Sequence, residues 1–464
     1  MMMHLSNMSR TCLSNRPFRL EKDPVSGESR LQMRRYLFCV LAVFLLTVGN
    51  GLFAQEAPIR PGEPLNLERA IDIGLKMNPA IMGYQYSMKA REAQLGQARA
   101  GYFPKVDGSA GFTRNFEVNN TRDPYYGALL DQYNQNVANV SLKQMIFDFW
   151  RTPTSVNIGR LNVESSRRDV DNSMNTVANT VKSSYYGVLK AKRSRDVNLE
   201  VVGQYAKHFR VAVVFFEAGK KPKYDVTKAE LDLSNAKLNL IGAENDLKVA
   251  WVNLNNAMGI DGDAEYAIHD NLDFDRYEIA LEDALKAAFE TRPDLKSLEA
   301  QRESAEKAVA RAKQEYYPQL NGNAQYNFAG SQYPLGQGWY AGVALSVNLF
   351  DGLSTTNKVA EAQANKQSVD AKISAMKLQI TLDVKQAWLA LIKARQTIET
   401  TNVQIRQATE NLEIANLRYD AGLATPLEVT DATVTYSQAK LANISALFDY
   451  KVARANMEKA MGSR

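Results

Sequence analysis

The chain is written twice. Leu67-Glu68, Ala70, Pro79, Glu92, Ala98, Tyr102, Pro104 and Gly108 recur without a gap 214 positions later, as Leu281-Glu282, Ala284, Pro293, Glu306, Ala312, Tyr316, Pro318 and Gly322. From Val140 onward the offset is 203. Phe147-Asp148 then matches Phe350-Asp351, Ala218-Gly219 matches Ala421-Gly422, and Ala257-Met258-Gly259 matches Ala460-Met461-Gly462. The first copy therefore carries 11 additional residues between Gly108 and Val140. Self-similarity at a fixed offset marks a repeated structural unit. Whatever one copy folds into, this chain holds two of them.

Each copy reads as helix, two strands, long helix, turn, helix. The strands alternate. Over 106–118 the even positions are Val, Gly, Ala, Phe, Arg, Phe, Val, with Asp, Ser, Gly, Thr, Asn, Glu between. Over 320–328 the even positions are Leu, Gly, Ala, Tyr, Phe, and every odd one is Asn or Gln. Over 341–349 the odd positions are Ala, Val, Leu, Val, Leu; the stretch near 137–146 alternates more loosely. Period-two patterning predicts strands with one apolar and one polar face. The apolar face suits a protein core or lipid, and the uncharged polar face suits a water-filled lumen. Tyr125, Tyr126, Tyr133, Tyr333, Trp339 and Tyr340 lie near the strand-connecting loops, where an interfacial aromatic girdle would sit.

The long helices carry a different period. Val384, Leu391, Ile398, Ile405, Leu412 and Tyr419 fall every seven residues, with Ala387, Ala394, Thr401, Ala408 and Ala415 three later. Such heptads predict coiled-coil packing, and the small second position allows close approach. Residues 357–419 hold no Pro or Gly, so one helix can run about 95 Å at 1.5 Å per residue. Its counterpart near 160–216 is less regular and contains glycines. Sharp turns end both. Ala421-Gly422 suits a helix C-terminus, and Thr425-Pro426-Leu427-Glu428 restarts a helix with a Thr N-cap, a first-turn Pro and a capping-box Glu. The earlier turn runs from Phe216 through Gly219 to Asp225 and Val226.

The amino terminus reads as an address. Met33-Arg34-Arg35 precedes the apolar run 36–48, and Ala54 offers a small residue for cleavage, the pattern of a secretory signal whose translation is expected to start at Met33. The expected organisation is an upstream segment and signal over 1–54, a first repeat over 55–259, a linker over 260–278 and a second repeat over 279–464. Cys12 and Cys39 both precede the cleavage point, which leaves no disulfide, thiol chemistry or Cys metal site in the mature chain. Residues 1–54 hold seven basic and three acidic residues, so the net charge of +5 falls to +1 in the mature chain and gives no reason to expect nucleic acid. Catalysis finds no support either. The mature chain has two histidines, His208 and His269, without a partner pattern, and no phosphate loop, zinc motif or nucleophile elbow, so neither cofactor nor metal is expected.

Two hairpins give four strands, too few to close a membrane barrel, and an open edge is not tolerated in lipid. Copies of the chain must pool strands: two give eight, three give twelve. A polar-lined interior with small residues favours the larger barrel, because eight strands are filled by their own side chains. The whole mature chain is similar to the TolC-like outer-membrane efflux proteins. The duplication carries this resemblance, with Asn78-Pro79, Arg292-Pro293-Asp294-Leu295, Tyr102-Phe103-Pro104, Tyr316-Tyr317-Pro318, Phe350-Asp351-Gly352 and the Tyr419 to Asp431 tip. It implies a mainly α fold with a membrane β part: a homotrimer with a shared 12-stranded β-barrel in the outer membrane of a Gram-negative bacterium and a long coiled-coil α-helical barrel in the periplasm. It also implies a passive exit duct of a tripartite efflux or type I secretion system, working with a periplasmic adaptor and an inner-membrane pump, in contact with outer-membrane lipid.

In that family the helical tips close the periplasmic end. Carried over by motif position, Asp225, Glu428, Asp431 and Tyr419 are the expected gate residues, with Gly219 and Gly422 as the tip turns and Phe216 beside the first. Lys220, Lys221 and Lys223 are candidates for adaptor docking. Ala424 stands where well-known members place an arginine latch, so Lys220, Lys221, Lys223 and Lys228 are expected to pair instead with Asp420, Glu428 or Asp431. The same carboxylates also suit helix starts, where the dipole favours them. A periplasmic or surface coiled-coil tether is the alternative function. It explains the heptads and leaves the alternating strands unexplained; a small diffusion porin leaves the long helices unexplained.

Overall fold

The computed structural model describes residues 64–119, 129–261 and 266–463, all within the larger of two compact units, Ile59–Arg464. The expected signal segment, both cysteines, Tyr125 and Tyr126 lie outside the described residues. Within this unit the duplication is explicit. The first copy comprises α1 (Leu67–Met77), α2 (Pro79–Arg99), β1 (Lys105–Asn119), β2 (Leu129–Phe147), α3 (Arg151–Glu217) and α4 (Lys223–Met258). The second repeats it as α5 (Leu281–Thr291), α6 (Pro293–Lys313), β3 (Gln319–Gly330), β4 (Gly336–Ser346), α7 (Ser354–Asp420) and α8 (Pro426–Ala460). Both long helices, α3 and α7, have 67 residues, about 100 Å at 1.5 Å per residue. The single first helix read from sequence is two, because Pro79 and Pro293 each begin a new helix at its first position.

The four strands form one antiparallel sheet in the order β1-β2-β3-β4, which leaves β1 and β4 as unpaired edges within the chain. Register places every alternating set on a common face. Val106, Leu142, Ala324 and Ala341 share one row, and Gly108, Val140, Tyr326 and Trp339 the next. The opposite face carries Asp107, Ser141, Gln325 and Tyr340, then Ser109, Asn139, Asn327 and Gly338. The apolar face is uncovered: Trp339 is 75% exposed and Val343 70%. Tyr340 stands apart from that face, since its hydroxyl donates to Gln325 on the polar one at 2.7 Å. A bulge between Met145 and Phe147 explains the loose alternation near 137–146. The last strand begins and ends earlier than its pattern suggests. β3 starts at Gln319, opposite Ser346, so Val347 and Leu349 have no partner strand.

At the foot of the sheet both copies enter their long helix the same way. Asp148 accepts from the Thr152 N–H at 2.7 Å and Asp351 from the Thr355 N–H at 2.8 Å. Aromatic residues collect there: Phe147, Phe149, Trp150 and Tyr317 are in mutual ring contact.

Below the sheet the helices lie side by side. Nearer the strands the packing order is α2-α3-α6-α7, and nearer the turns it is α4-α3-α8-α7. The heptad seam of α7 is buried as its spacing predicts, from Val384 and Ala387 through Leu391, Ala394, Ile398 and Thr401 to Leu412, Ala415 and Tyr419, with Ile405 partly covered. Its partner α8 answers with alanines at every seventh position, Ala432, Ala439, Ala446, Ala453 and Ala460. One layer of this seam is polar: the Asn443 amide donates to Thr401 at 3.1 Å and Asn402 at 2.8 Å. Between the copies the seam is polar instead, with Ser165, Asp169, Ser297 and Gln301 hydrogen-bonded between α3 and α6.

Two devices brace the helices. The C-terminus of α4 abuts the α1–α2 break, where the Asn78 amide donates to the Ala257 carbonyl at 2.9 Å. The α8 end meets the α5–α6 break likewise, through Thr291 and the Met461 carbonyl. Residues 266–280 form a packed strap rather than a slack connection. Its Ile268 bridges Leu65, Tyr185 donates to the His269 carbonyl at 2.6 Å, and Arg193 holds Asp270 with two hydrogen bonds. Further along, Lys451 and Arg454 hold Asp275, and the Trp388 indole donates to the Ile279 carbonyl at 3.1 Å.

Candidate functional site: the paired helical tips

Both long helices end in the same turn. Gly219 and Gly422 take φ of 71° and 77°, a left-handed conformation that costs an L-residue about 1–2 kcal/mol. The N–H groups of Lys220 and Gly219 reach back to Phe215 and Phe216, and those of Leu423 and Gly422 to Arg418 and Tyr419, so each tip is a Schellman closure. The restarts differ. Thr425 caps α8 with a full capping box, accepting from the Glu428 N–H and donating its own N–H to the Glu428 carboxylate. Pro222 precedes α4 with no side-chain cap.

The nine residues singled out from sequence all fall at these tips, and their surroundings separate them. Glu428 is engaged locally: the Thr425 N–H above all, with the Thr425 hydroxyl and Arg418 at 3.6 Å, holds its carboxyl below the usual range. Asp431 is exposed and Asp225 half-buried, and among the described residues neither carboxylate has an ion-pair partner. Tyr419 is buried in the α7–α8 seam and faces α3, with its ring stacked on His208 at 4.5 Å between centroids and set edge-on to Phe215 at 6.2 Å.

The expected lysine latch is absent within the chain. Asp420 pairs with Lys207 on α3 at 3.5 Å, Glu428 with Arg418, and Lys228 with Asp232 one turn along its own helix. Lys220, Lys221 and Lys223 form no ion pair among the described residues. The contacts between the hairpins are made chiefly by α3 against α8, with α4 joining further along at Asp232, whereas these lysines sit in the turn before α4 and at its first residue. Joining the hairpins instead are Glu200, which accepts from Tyr436 and Lys440, each at 2.7 Å, and Asp232, which accepts from Thr430 at 3.2 Å. Tyr205 lies beside this network, its hydroxyl pushed up to about 12 by burial, with Asp232 and Asp431 adding. None of Glu200, Asp232 or His208 stands out in the sequence, because each is a lone polar residue on a long helix.

At its turns the chain ends in a surface that combines apolar side chains with charges of both signs. Leu423, Leu427 and Tyr224 are exposed beside Lys220 and Lys223. Among the described residues no group of acidic, histidine or cysteine side chains could hold a metal ion, and no helix is long and apolar enough to cross a membrane.

An antiparallel sheet with one uncovered apolar face, continued by helical hairpins far longer than any core requires, defines a channel-wall protein of the outer-membrane type. The chain belongs to the outer membrane efflux protein family, which it matches over residues 70–260 and 284–463, one stretch in each copy. Protein CyaE of Bordetella pertussis is 24% identical over 443 residues, covering 89% of this chain and 91% of that protein. Among solved structures, the CmeC outer membrane channel of Campylobacter jejuni superposes with a TM-score of 0.75 at 19% identity, covering 85% of each chain. The open state of the MtrE outer membrane channel of Neisseria gonorrhoeae superposes with a TM-score of 0.70 at 17% identity, covering 86% of this chain and 89% of that one. The family is one of efflux channels rather than enzymes, and the chain is an outer-membrane exit duct.

Proposed function

We propose that three copies of this chain form the passive exit duct of a tripartite efflux or type I secretion system, closed at its periplasmic tips. The observation that carries this reading is the pair of open edges. β1 and β4 end the sheet unpaired, and lipid does not tolerate unpaired backbone; three sheets joined edge to edge supply twelve strands and a polar lumen. The helices make the same demand. α4, at one side of the row, exposes Tyr224, Leu231, Leu238 and Val252 on heptad positions; α7, at the other, exposes Leu382, Leu389, Val403 and Leu417 on theirs. A second copy set head to tail covers both stripes, and a closed ring leaves none over. The twelve residues of β3 span about 40 Å, or some 30 Å of membrane at a tilt near 40°. The aromatic group at Phe147, Phe149, Trp150 and Tyr317 then marks the periplasmic interface.

At the far end Asp225 and Asp431 become rings of carboxylates, which attract cations to a constriction. The open state of the similar MtrE outer membrane channel fits tips that part. The exposed Leu423, Leu427 and Tyr224 beside Lys220 and Lys223 suit the end of an adaptor helical hairpin with an acidic rim. The passive duct works with an inner-membrane pump, which supplies the energy.

Planar-bilayer conductance of the purified protein, beside an Asp225→Ser/Glu428→Ser/Asp431→Ser variant, tests both parts. Small cation-selective steps that enlarge and lose selectivity in the variant support duct and gate together. Equal currents in the two proteins retain the duct and discard these gate residues. No channel from either protein, with a chain soluble without detergent, sinks the reading.

A further inference from the structure

His208 has no place in the duct or in the carboxylate rings. It is 8% exposed, in a helix three turns above the first tip, and its Nε2 is buried without a hydrogen-bond partner. The ring stacked on it belongs to Tyr419 at the end of the other long helix, 3% exposed, whose hydroxyl is likewise buried and unpartnered. Two orphaned polar atoms in one contact are costly, and native structures rarely keep them without a use. The contact also lies where the two hairpins touch: Lys207 beside His208 pairs with Asp420 beside Tyr419.

We infer that the His208–Tyr419 stack is a proton-released clasp between the two tip hairpins of each chain, intact when the imidazole is neutral and opened by acidification. This rests on the reading of the tips as the closed end of a duct.

The surrounding charges set the direction. From α4, Asp225, Lys228 and Asp232 face the ring; from α7, Asp420 and Tyr419; on α8, Asp431 acts on Tyr205, one turn up α3. Burial holds the imidazole below its ordinary value, Lys228 adds to this, and Asp232, Asp225 and Asp420 oppose it without prevailing. Two of those carboxylates are already occupied, Asp232 by Lys228 and Thr430 and Asp420 by Lys207. Asp225, the third, has no ion-pair partner but makes no hydrogen bond to the ring, so a proton on Nε2 enters a pocket with no acceptor in place for it. Stacking a cation on the tyrosine face returns part of that cost, and the rest is relieved only when the hairpins separate and water reaches the ring. The parted state then titrates at about 6.5, the ordinary value, and the joined state below it. The clasp keeps its full strength above that ordinary value. As pH falls between the two values, the equilibrium shifts toward parted tips by up to about tenfold per pH unit in each chain.

The test has two arms on the full assembled protein. In planar bilayers, wild-type conductance is compared between pH 7.5 and 5.5 with that of His208→Phe, which keeps an aromatic stack and cannot titrate, and of His208→Gln. The expected result is a several-fold rise in open probability for wild type on acidification and a flat response for both variants. A flat wild type, or variants that respond as wild type does, overturns the clasp. In the second arm, histidine-labelled protein is titrated by NMR. His208 is expected to titrate below the ordinary histidine value of about 6.5, and a midpoint at or above it overturns the proposal even if the variants fail to assemble. Absence of any channel at pH 7.5 counts against the duct itself, a result the titration distinguishes from failure of the clasp.

Discussion

Replacing one glycine in each kind of bend separates two roles that the sequence writes identically. Gly259 and Gly422 both take a left-handed φ, 75° and 77°, so an alanine at either costs about 1–2 kcal/mol of backbone strain. The entropy gained by restricting the unfolded chain is the same in both and cancels in the comparison. Their surroundings differ. A Cβ at Gly422 meets nothing within 4 Å, whereas at Gly259 it falls 2.7 Å from the Asn78 Cα and 2.8 Å from the Met77 carbonyl oxygen. Those atoms are backbone at the break between α1 and α2 and cannot swing aside. Forcing them apart adds about 1–3 kcal/mol of overpacking, so Gly259→Ala is expected to lose about 2–5 kcal/mol against about 1–2 for Gly422→Ala. Heating the variants in one detergent while following helical circular dichroism reads the difference, and Gly462→Ala, whose Cβ meets Arg292 Cα at 2.9 Å, should side with Gly259→Ala. If Gly259→Ala melts no lower than Gly422→Ala, the end-to-end abutment of α4 on α2 is not a rigid brace.

Four other perturbations act on the seam, the free edge and the strap. Ile398→Ala empties a seam position 2% exposed and should cost about 2–5 kcal/mol in the melting series, while Leu389→Ser, on the free edge of α7, should leave the fold of each chain intact and lower the fraction of assembled protein on size exclusion. Burial raises the carboxyls of Asp270 and Asp275, yet Arg193 on the one and Lys451 on the other outweigh it and hold both below the ordinary range. Their stabilisation of the strap is therefore complete above the ordinary carboxylate value and is lost as pH falls through the depressed ones; hydrogen exchange across residues 266–280 should rise in that acid window, and Asp275→Asn should show the faster exchange already at neutral pH. Tyr185→Phe strands the His269 carbonyl that its hydroxyl serves at 2.6 Å, while the Leu65 carbonyl keeps the His269 N–H, at a cost of about 1–3 kcal/mol, with exchange at Leu65 and His269 rising first.

Much of this architecture is legible in the residues, and what was missed has physical causes. The α7 seam reads cleanly because Val384 to Tyr419 keeps one large residue per heptad. The matching run of alanines in α8 escapes notice because the large positions between them, Val429, Tyr436, Asn443, Tyr450 and Met457, mix polar and apolar residues. Alternation found all four strands, yet it misplaced β4, where Gly336 and Gly338 mute the pattern and Val347 and Leu349 continue it past the last available partner. The strap over residues 266–280 looks like a linker, since the partners of its carboxylates and carbonyls, Arg193, Lys451, Arg454, Tyr185 and Trp388, lie far away in sequence. Charge pairing at the tips was the least readable part. Lys220, Lys221 and Lys223 are near the acidic residues in sequence pattern, but the hairpins meet chiefly through α3 against α8, so the pairs that form between them are Lys207 with Asp420 and Glu200 with Lys440.

The claim on which everything else depends is that copies of this chain pool their four-stranded sheets into one closed barrel. Native mass spectrometry of the detergent-extracted protein tests it directly. A single species of three chains is the predicted result, converting to single chains only as the sheet signal is lost. A monomer that keeps its strands in detergent, or a chain that stays soluble and monomeric without it, would contradict the account.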